Sequence, residues 1–173
     1  LRSGSVIRNN IVGDSIGYSA DGAKPVFMSW GIYLDSFAGG YTVTDNVCYR
    51  SNNGGIMFQG GKDNVVTNNV FVGGNAGIGH ITNFANNGEG LVLEGNILAW
   101  SDASAGFWAT GRLDDKVIRI GSNLYFPPEG HPLAAPGGQW EDWQRRGFDG
   151  DSIIADPQFV DAAGGDFRLQ PTS

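Results

Sequence analysis

Short apolar runs recur along the chain, each set apart from the next by asparagine, glycine or both. The run Val6-Ile7-Arg8-Asn9-Asn10-Ile11-Val12 returns as Thr42-Val43-Thr44-Asp45-Asn46-Val47-Cys48 and again as Val65-Val66-Thr67-Asn68-Asn69-Val70-Phe71. It returns once more as Leu91-Val92-Leu93-Glu94-Gly95-Asn96-Ile97-Leu98, and in a weaker copy as Val117-Ile118-Arg119-Ile120-Gly121-Ser122-Asn123-Leu124-Tyr125. The closing Asn falls at 10, 46, 69, 96 and 123, with spacings of 36, 23, 27 and 27 residues. A second phrase lies between these copies, a Gly followed by a short run: Gly31-Ile32-Tyr33-Leu34-Asp35, Gly55-Ile56-Met57-Phe58-Gln59, Gly77-Ile78-Gly79-His80-Ile81 and Gly106-Phe107-Trp108-Ala109-Thr110. β-Branched and aromatic residues in alternation, bounded by turn formers, predict strands, two or three to each period.

This period is too short for a strand–helix–strand crossover, which needs about 30 residues or more. It also lacks the leucine spacing of a leucine-rich repeat. Three short strands joined by tight bends make one coil, and stacked coils pair about 4.8 Å apart. The expected fold class is therefore all-β, a right-handed parallel β-helix of about four to five coils over residues 1–126, the hand following the crossover rule. The Asn that closes each phrase is expected to stack into a hydrogen-bonded ladder and to adopt the left-handed conformation of the bend itself. The long first spacing predicts an inserted loop at about 13–30 that carries Tyr18, Phe27, Met28 and Trp30. Residues 127–173 are expected to form a loop and short-helix tail that packs on the stack or caps it. The helix spans Gln139 to Arg146 and ends at Gly147, and Asp166 to Leu169 form a last short strand.

Composition agrees with a chain that bends often. Of 173 residues, 28 are Gly and 14 are Asn, and both favour turns over helix interiors. Five Trp and ten Phe exclude a disordered linker. Net charge is −7, with only three Lys and eight Arg, so a nucleic-acid partner is not expected. No run of 18 apolar residues predicts a membrane span, and the start carries no signal-peptide pattern. The single Cys48 has no partner for a disulfide or a zinc site.

The phrases Trp30-Gly31-Ile32-Tyr33-Leu34-Asp35 with Asp45-Asn46-Val47, and Gly60-Gly61-Lys62-Asp63-Asn64-Val65-Val66-Thr67-Asn68-Asn69, resemble the right-handed parallel β-helix repeat proteins of the pectate-lyase-like superfamily. Ala155-Asp156-Pro157-Gln158-Phe159-Val160-Asp161 with Gly165-Asp166-Phe167-Arg168-Leu169 is similar to the closing segment of large bacterial β-helix proteins. The resemblance covers nearly all of the chain and is specific for fold more than for activity. It implies polysaccharide lyases, glycoside hydrolases, epimerases or members of unknown activity. It also implies the C-terminal part of a longer domain, secreted or periplasmic in its full-length parent.

Candidate chemistry follows from strand alternation. With Ile32 and Leu34 inside the coil, Tyr33 and Asp35 face out, and Met57 and Gln59 do so on the next coil. Strict alternation puts His80 inside on the third coil, whereas a bulge near Gly79 would return it to the outer face, and the sequence leaves both open. Trp108 is expected outside on the fourth. Lys62 and Asp63 fall in the turn after this face, with Arg112 in a similar place two coils on. Tyr33, Gln59, Lys62, Trp108 and Arg112 are the candidate substrate-binding residues, because aromatics stack on pyranose faces while polar groups bind hydroxyls. Asp35, Asp63 and His80 are the candidate catalytic residues. Paired carboxyls about 5–9.5 Å apart serve a glycoside hydrolase, and a lyase needs a base beside a cation such as Lys62, His80 or Arg112. Each residue also has a plainer role: Asp35 and Asp63-Asn64 as turn formers, His80 inside the coil, Trp108 under the tail, Trp140 and Trp143 in packing. No cofactor is expected, and Asp114-Asp115 form a weak candidate Ca²⁺ pair. The expected function is action on, or binding of, a polysaccharide, leaning to a lyase or hydrolase if catalytic. The alternative is a non-catalytic sugar-binding or structural segment, and open stack ends would offer edges for self-association.

Overall fold

A computed structural model describes residues 4–18, 20, 25–26, 29–73, 79–82, 88–102, 108–110, 118–128, 134–135 and 138–173. The architecture is an all-β parallel solenoid with one short helix near its C-terminal end. The first sheet stacks Ser5–Arg8, Tyr41–Thr44, Val65–Thr67, Leu91–Glu94 and Ile118–Gly121. The second stacks Ile11–Gly13, Val47–Tyr49, Val70–Val72, Ile97–Ala99, Leu124–Phe126 and Ile153–Ile154. The third stacks Trp30–Leu34, Gly54–Gln59, Gly79–Thr82 and Trp108–Thr110. All pairings within these three sheets are parallel. About three full turns result, slightly fewer than the expected four to five, because the third sheet has only four strands.

Register explains the core. Ile7, Val43, Val66, Leu93 and Ile120 occupy one column of the first sheet, and Val12, Cys48, Phe71, Leu98 and Tyr125 one column of the second. Most of these side chains are fully buried. Burial pushes the Cys48 thiol up to about 12, so it behaves as a small core hydrophobe.

The asparagine ladder forms, but its two expected jobs are split between adjacent residues. Asn10, Asn46, Asn69 and Asn96 each donate a side-chain N–H to the Asn Oδ1 of the next coil, at 2.8–3.2 Å. The left-handed conformation belongs to the residue before: Asn9, Asp45, Asn68, Gly95 and Ser122 all have φ between 51° and 65°. A bend residue turned toward solvent pays only for its backbone. The next residue, with ordinary φ, then aims its amide along the stack.

Two glycines open the third-sheet strands for a steric reason. A Cβ on Gly31 would lie 2.7 Å from Cys48 Cβ, and one on Gly55 would fall against the ring of Phe71. The core side chains of the second sheet thus fill the corner that these glycines leave. Gly55→Ala is expected to destabilise the fold by about 1–3 kcal/mol, the usual cost of overpacking. Urea unfolding would read it, and a loss below about 0.5 kcal/mol would contradict the steric account.

The tail does more than pack alongside. Ile153–Ile154 enters the second sheet as its sixth strand. The helix Trp140–Arg145 buries Trp143, whose ring stacks on Phe148 with centroids 4.3 Å apart. The antiparallel pair Phe159–Asp161 and Asp166–Leu169 folds back toward the second coil, where Phe167 meets Tyr49 with centroids 5.1 Å apart.

Candidate functional site

The candidate residues sit where strands of the third sheet run into their turns. Tyr33 stands opposite Met57, and Leu34 opposite Phe58, so Asp35 falls beside Gln59 at the strand ends. Tyr33 lies two residues before Asp35 on the same face of the strand, and the two interact electrostatically. Partial burial first, and then the Asp35 charge, hold the Tyr33 phenol above its usual pKa. The Ser36 N–H is shared between Asp35 Oδ1 at 2.7 Å and Gln59 Oε1 at 3.1 Å. Asp35 and Gln59 therefore form one polar cluster around Ser36, with Tyr33 beside it.

The turn after Asp35 lies on the next coil through its backbone. Phe37 N–H donates to Gln59 O at 3.1 Å, Ala38 N–H to Asp35 O at 3.0 Å and Gly40 N–H to Lys62 O at 2.8 Å. Asn64, fully buried, donates its amide to Ala38 O at 2.8 Å and accepts from Tyr41 N–H at 3.1 Å. The close approach needs glycine at Gly39, where a Cβ would lie 2.7 Å from Lys62 O. Asp35 thus opens a turn, as its plainer reading holds, and also faces the cluster.

Lys62 belongs to a short strand, Gly61–Lys62, paired in parallel with Gly88–Glu89. Its Nζ lies 3.0 Å from Glu89 Oε1, with both side chains more than half exposed. Asp63 is exposed, takes φ +55°, donates its N–H to Glu89 O at 2.9 Å and packs its carboxylate against Gly90. One coil earlier its neighbourhood is the Gly40 end of the turn, whereas the coil neighbour of Asp35 is Gln59. Asp35 and Asp63 are thus offset by the length of the turn rather than stacked on successive coils.

The outer face is interrupted at Met57. Alternation placed Met57 outside, but Gly54 through Phe58 are all buried, the pattern of a strand covered on both faces. By backbone register His80 stands opposite Met57, in the column of Tyr33. Trp108 stands opposite Gly79, in the column of Ile32 and Ile56 rather than that of Tyr33. The side chains of His80 and Trp108, and the whole of Arg112, Asp114, Asp115, Phe27 and Met28, lie outside the described residues. Among the described residues no group of three or more His, Cys, Asp or Glu is arranged to hold a metal ion. No described helix is long and apolar enough to cross a membrane.

Sequence reasoning missed Ser36, Phe37 and Glu89. Glu89 had a readable signal, since it stands two residues before the Leu91 strand much as Lys62 stands before the Val65 strand, with opposite charge. Phe37 had a fainter one, an aromatic set within a Ser-Phe-Ala-Gly-Gly turn. No family model matches the chain, and no curated protein or solved structure matches it either.

Proposed function

We propose that this parallel β-solenoid, of the pectate-lyase-like kind, binds a polysaccharide on the surface formed by the Tyr33–Leu34 strand end, the turn after Asp35 and the Lys62–Glu89 pair. The observation that carries the reading is the convergence of Asp35 and Gln59 on the Ser36 N–H, with Tyr33 beside Asp35 on the same strand face. Carboxylate and amide oxygens held by a rigid backbone suit sugar hydroxyls, because their orientation is set before the ligand arrives. The reading favours binding over catalysis. A hydrolase needs two carboxyls flanking one glycosidic bond, and the offset of Asp35 from Asp63 gives that arrangement no support. Such a ligand suits a location outside the cell, secreted or periplasmic.

Asp35→Ala is expected to weaken binding to the recognised polysaccharide at least tenfold. It should leave the melting temperature within a few degrees of wild type, because Gln59 still holds the Ser36 N–H. Affinity electrophoresis through polysaccharide-containing gels, with thermal melting in parallel, would check both. Undiminished retention of the folded variant would remove Asp35 from the binding surface.

A further inference from the structure

We infer that Phe37 is a stacking platform for the ring of an uncharged sugar, and that the surface around it takes a neutral glycan rather than a polyuronate; this rests on the saccharide-binding reading above. The first observation is conformational. Phe37 has φ +59° and follows Ser36 at φ +52°, two consecutive left-handed residues of which neither is glycine. A bulky side chain in that region is a true outlier, and such strain persists only where the surroundings impose it. Here the surroundings are the bonds from Phe37 N–H to Gln59 O and from Ala38 N–H to Asp35 O.

The second observation is that the ring gains little from the interior in return. Phe37 remains 49% exposed, whereas Leu34 and Phe58 beside it are buried. A glycine in its place would relieve the backbone, and the chain does place glycines at Gly39 and Gly40 in the same turn. The fold therefore holds an aromatic ring at the surface, one residue from Ser36 and two from Asp35. An apolar ring face next to fixed hydrogen-bond acceptors complements a pyranose, whose C–H face stacks while its hydroxyls reach the acceptors.

The third observation is charge. Lys62 is already held by Glu89 at 3.0 Å, and Asp35 and Asp63 are exposed nearby. Among the described residues here, three carboxylates thus stand against one ammonium. Away from this surface Arg50, Arg119, Arg145 and Arg168 are each paired with a carboxylate, and the chain carries net charge −7. A uronate chain would meet net repulsion here, whereas a neutral chain would not.

The test uses Phe37→Gly, because glycine removes the ring and relaxes the left-handed backbone together. Wild type, Phe37→Gly and Asp35→Ala would be run by affinity electrophoresis against xyloglucan, galactomannan and mixed-linkage β-glucan, and against polygalacturonate and alginate. Expected is retention of wild type by a neutral glycan but by neither polyuronate. Phe37→Gly should bind that glycan at least tenfold more weakly while melting at or above the wild-type temperature. Unchanged retention of Phe37→Gly beside a loss in Asp35→Ala would overturn the platform and leave the binding surface standing. A lower melting temperature for Phe37→Gly would show that the ring serves the fold, and would overturn the platform as well. Retention by polygalacturonate or alginate as strong as by any neutral glycan would overturn the charge assignment. Retention by none of the five would overturn the saccharide reading itself, and this inference with it.

Discussion

Asn69→Ala is expected to remove a large share of the folding free energy, although the substitution deletes only a small polar group. Asn69 Oδ1 accepts from Asn46 N at 3.0 Å and from Asn46 Nδ2 at 2.9 Å. Its amide donates to Val43 O, Thr67 O and Asn96 Oδ1 at 2.9–3.0 Å. Truncation leaves the Asn46 N–H buried and unpaired, at about 1–3 kcal/mol, removes the side-chain bonds to Asn46 Nδ2, Val43 O, Thr67 O and Asn96 Oδ1, and opens a small void. A total of about 4 kcal/mol is large against the roughly 5–15 kcal/mol that holds an ordinary domain together. Asn69→Asp should cost more still, because it turns a carboxylate oxygen toward Val43 O, Thr67 O and Asn96 Oδ1. The neighbour is the control. Asn68 is exposed, sits at φ +61° and donates only to Asp45 Oδ1, so Asn68→Gly should be close to neutral. Equilibrium urea unfolding of the three variants would place Asn69→Asp worst, Asn69→Ala next and Asn68→Gly near wild type. A loss below about 1 kcal/mol for Asn69→Ala would show that the ladder records the fold without holding it.

The contrast between Asn68 and Asn69 also shows what could be read from sequence and what could not. The repeat was legible because every coil puts the same residue type at the same place, so a period in Asn and Gly is a period in space. The division of labour within an Asn-Asn pair was not legible, since both residues tolerate bends and both can donate along a stack. Strand alternation placed Tyr33, Asp35 and Gln59 together, because two-residue periodicity survives wherever the strand is regular. It failed at Met57, which is buried although alternation turns it outward, because burial on that side of a strand leaves no mark in the local pattern. It also put Trp108 in the column of Tyr33, whereas pairing sets Trp108 opposite Gly79. Register in a parallel ladder is chosen by neighbouring strands, and a one-residue shift moves a side chain to the other face. Phe37 and Glu89 lie in turns outside both repeated phrases, so periodicity had nothing to say about them.

A ladder of identical donors and acceptors must also stop, and Asp149→Ala is expected to show how this one does. Asn123 has no sixth asparagine beyond it; its Nδ2 donates instead to Asp149 Oδ1 at 3.2 Å. The same carboxylate accepts from Trp143 Nε1 at 2.8 Å, from the Tyr125 hydroxyl at 3.0 Å and from the Ser152 hydroxyl. Asp149 is fully buried. Both Asp149 oxygens accept here, so the residue ends a chain of amide donors without presenting a new donor that needs a further coil. Alanine would deprive the buried Trp143 and Asn123 N–H groups of this acceptor, while the two hydroxyls could turn to other partners. The expected loss is about 4 kcal/mol, including the cost of alanine at φ +51°. Asp149→Asn is the sharper variant. The NH₂ it introduces must face either the fixed Trp143 N–H or the fixed Asn123 N–H. It should therefore lose about 2 kcal/mol, although it preserves shape and suits the left-handed backbone. Tryptophan emission during urea unfolding, to which Trp143 contributes together with Trp30, Trp100, Trp108 and Trp140, would measure both losses. If Asp149→Asn proves as stable as wild type, then shape rather than the polarity of the hydrogen bonds closes the stack.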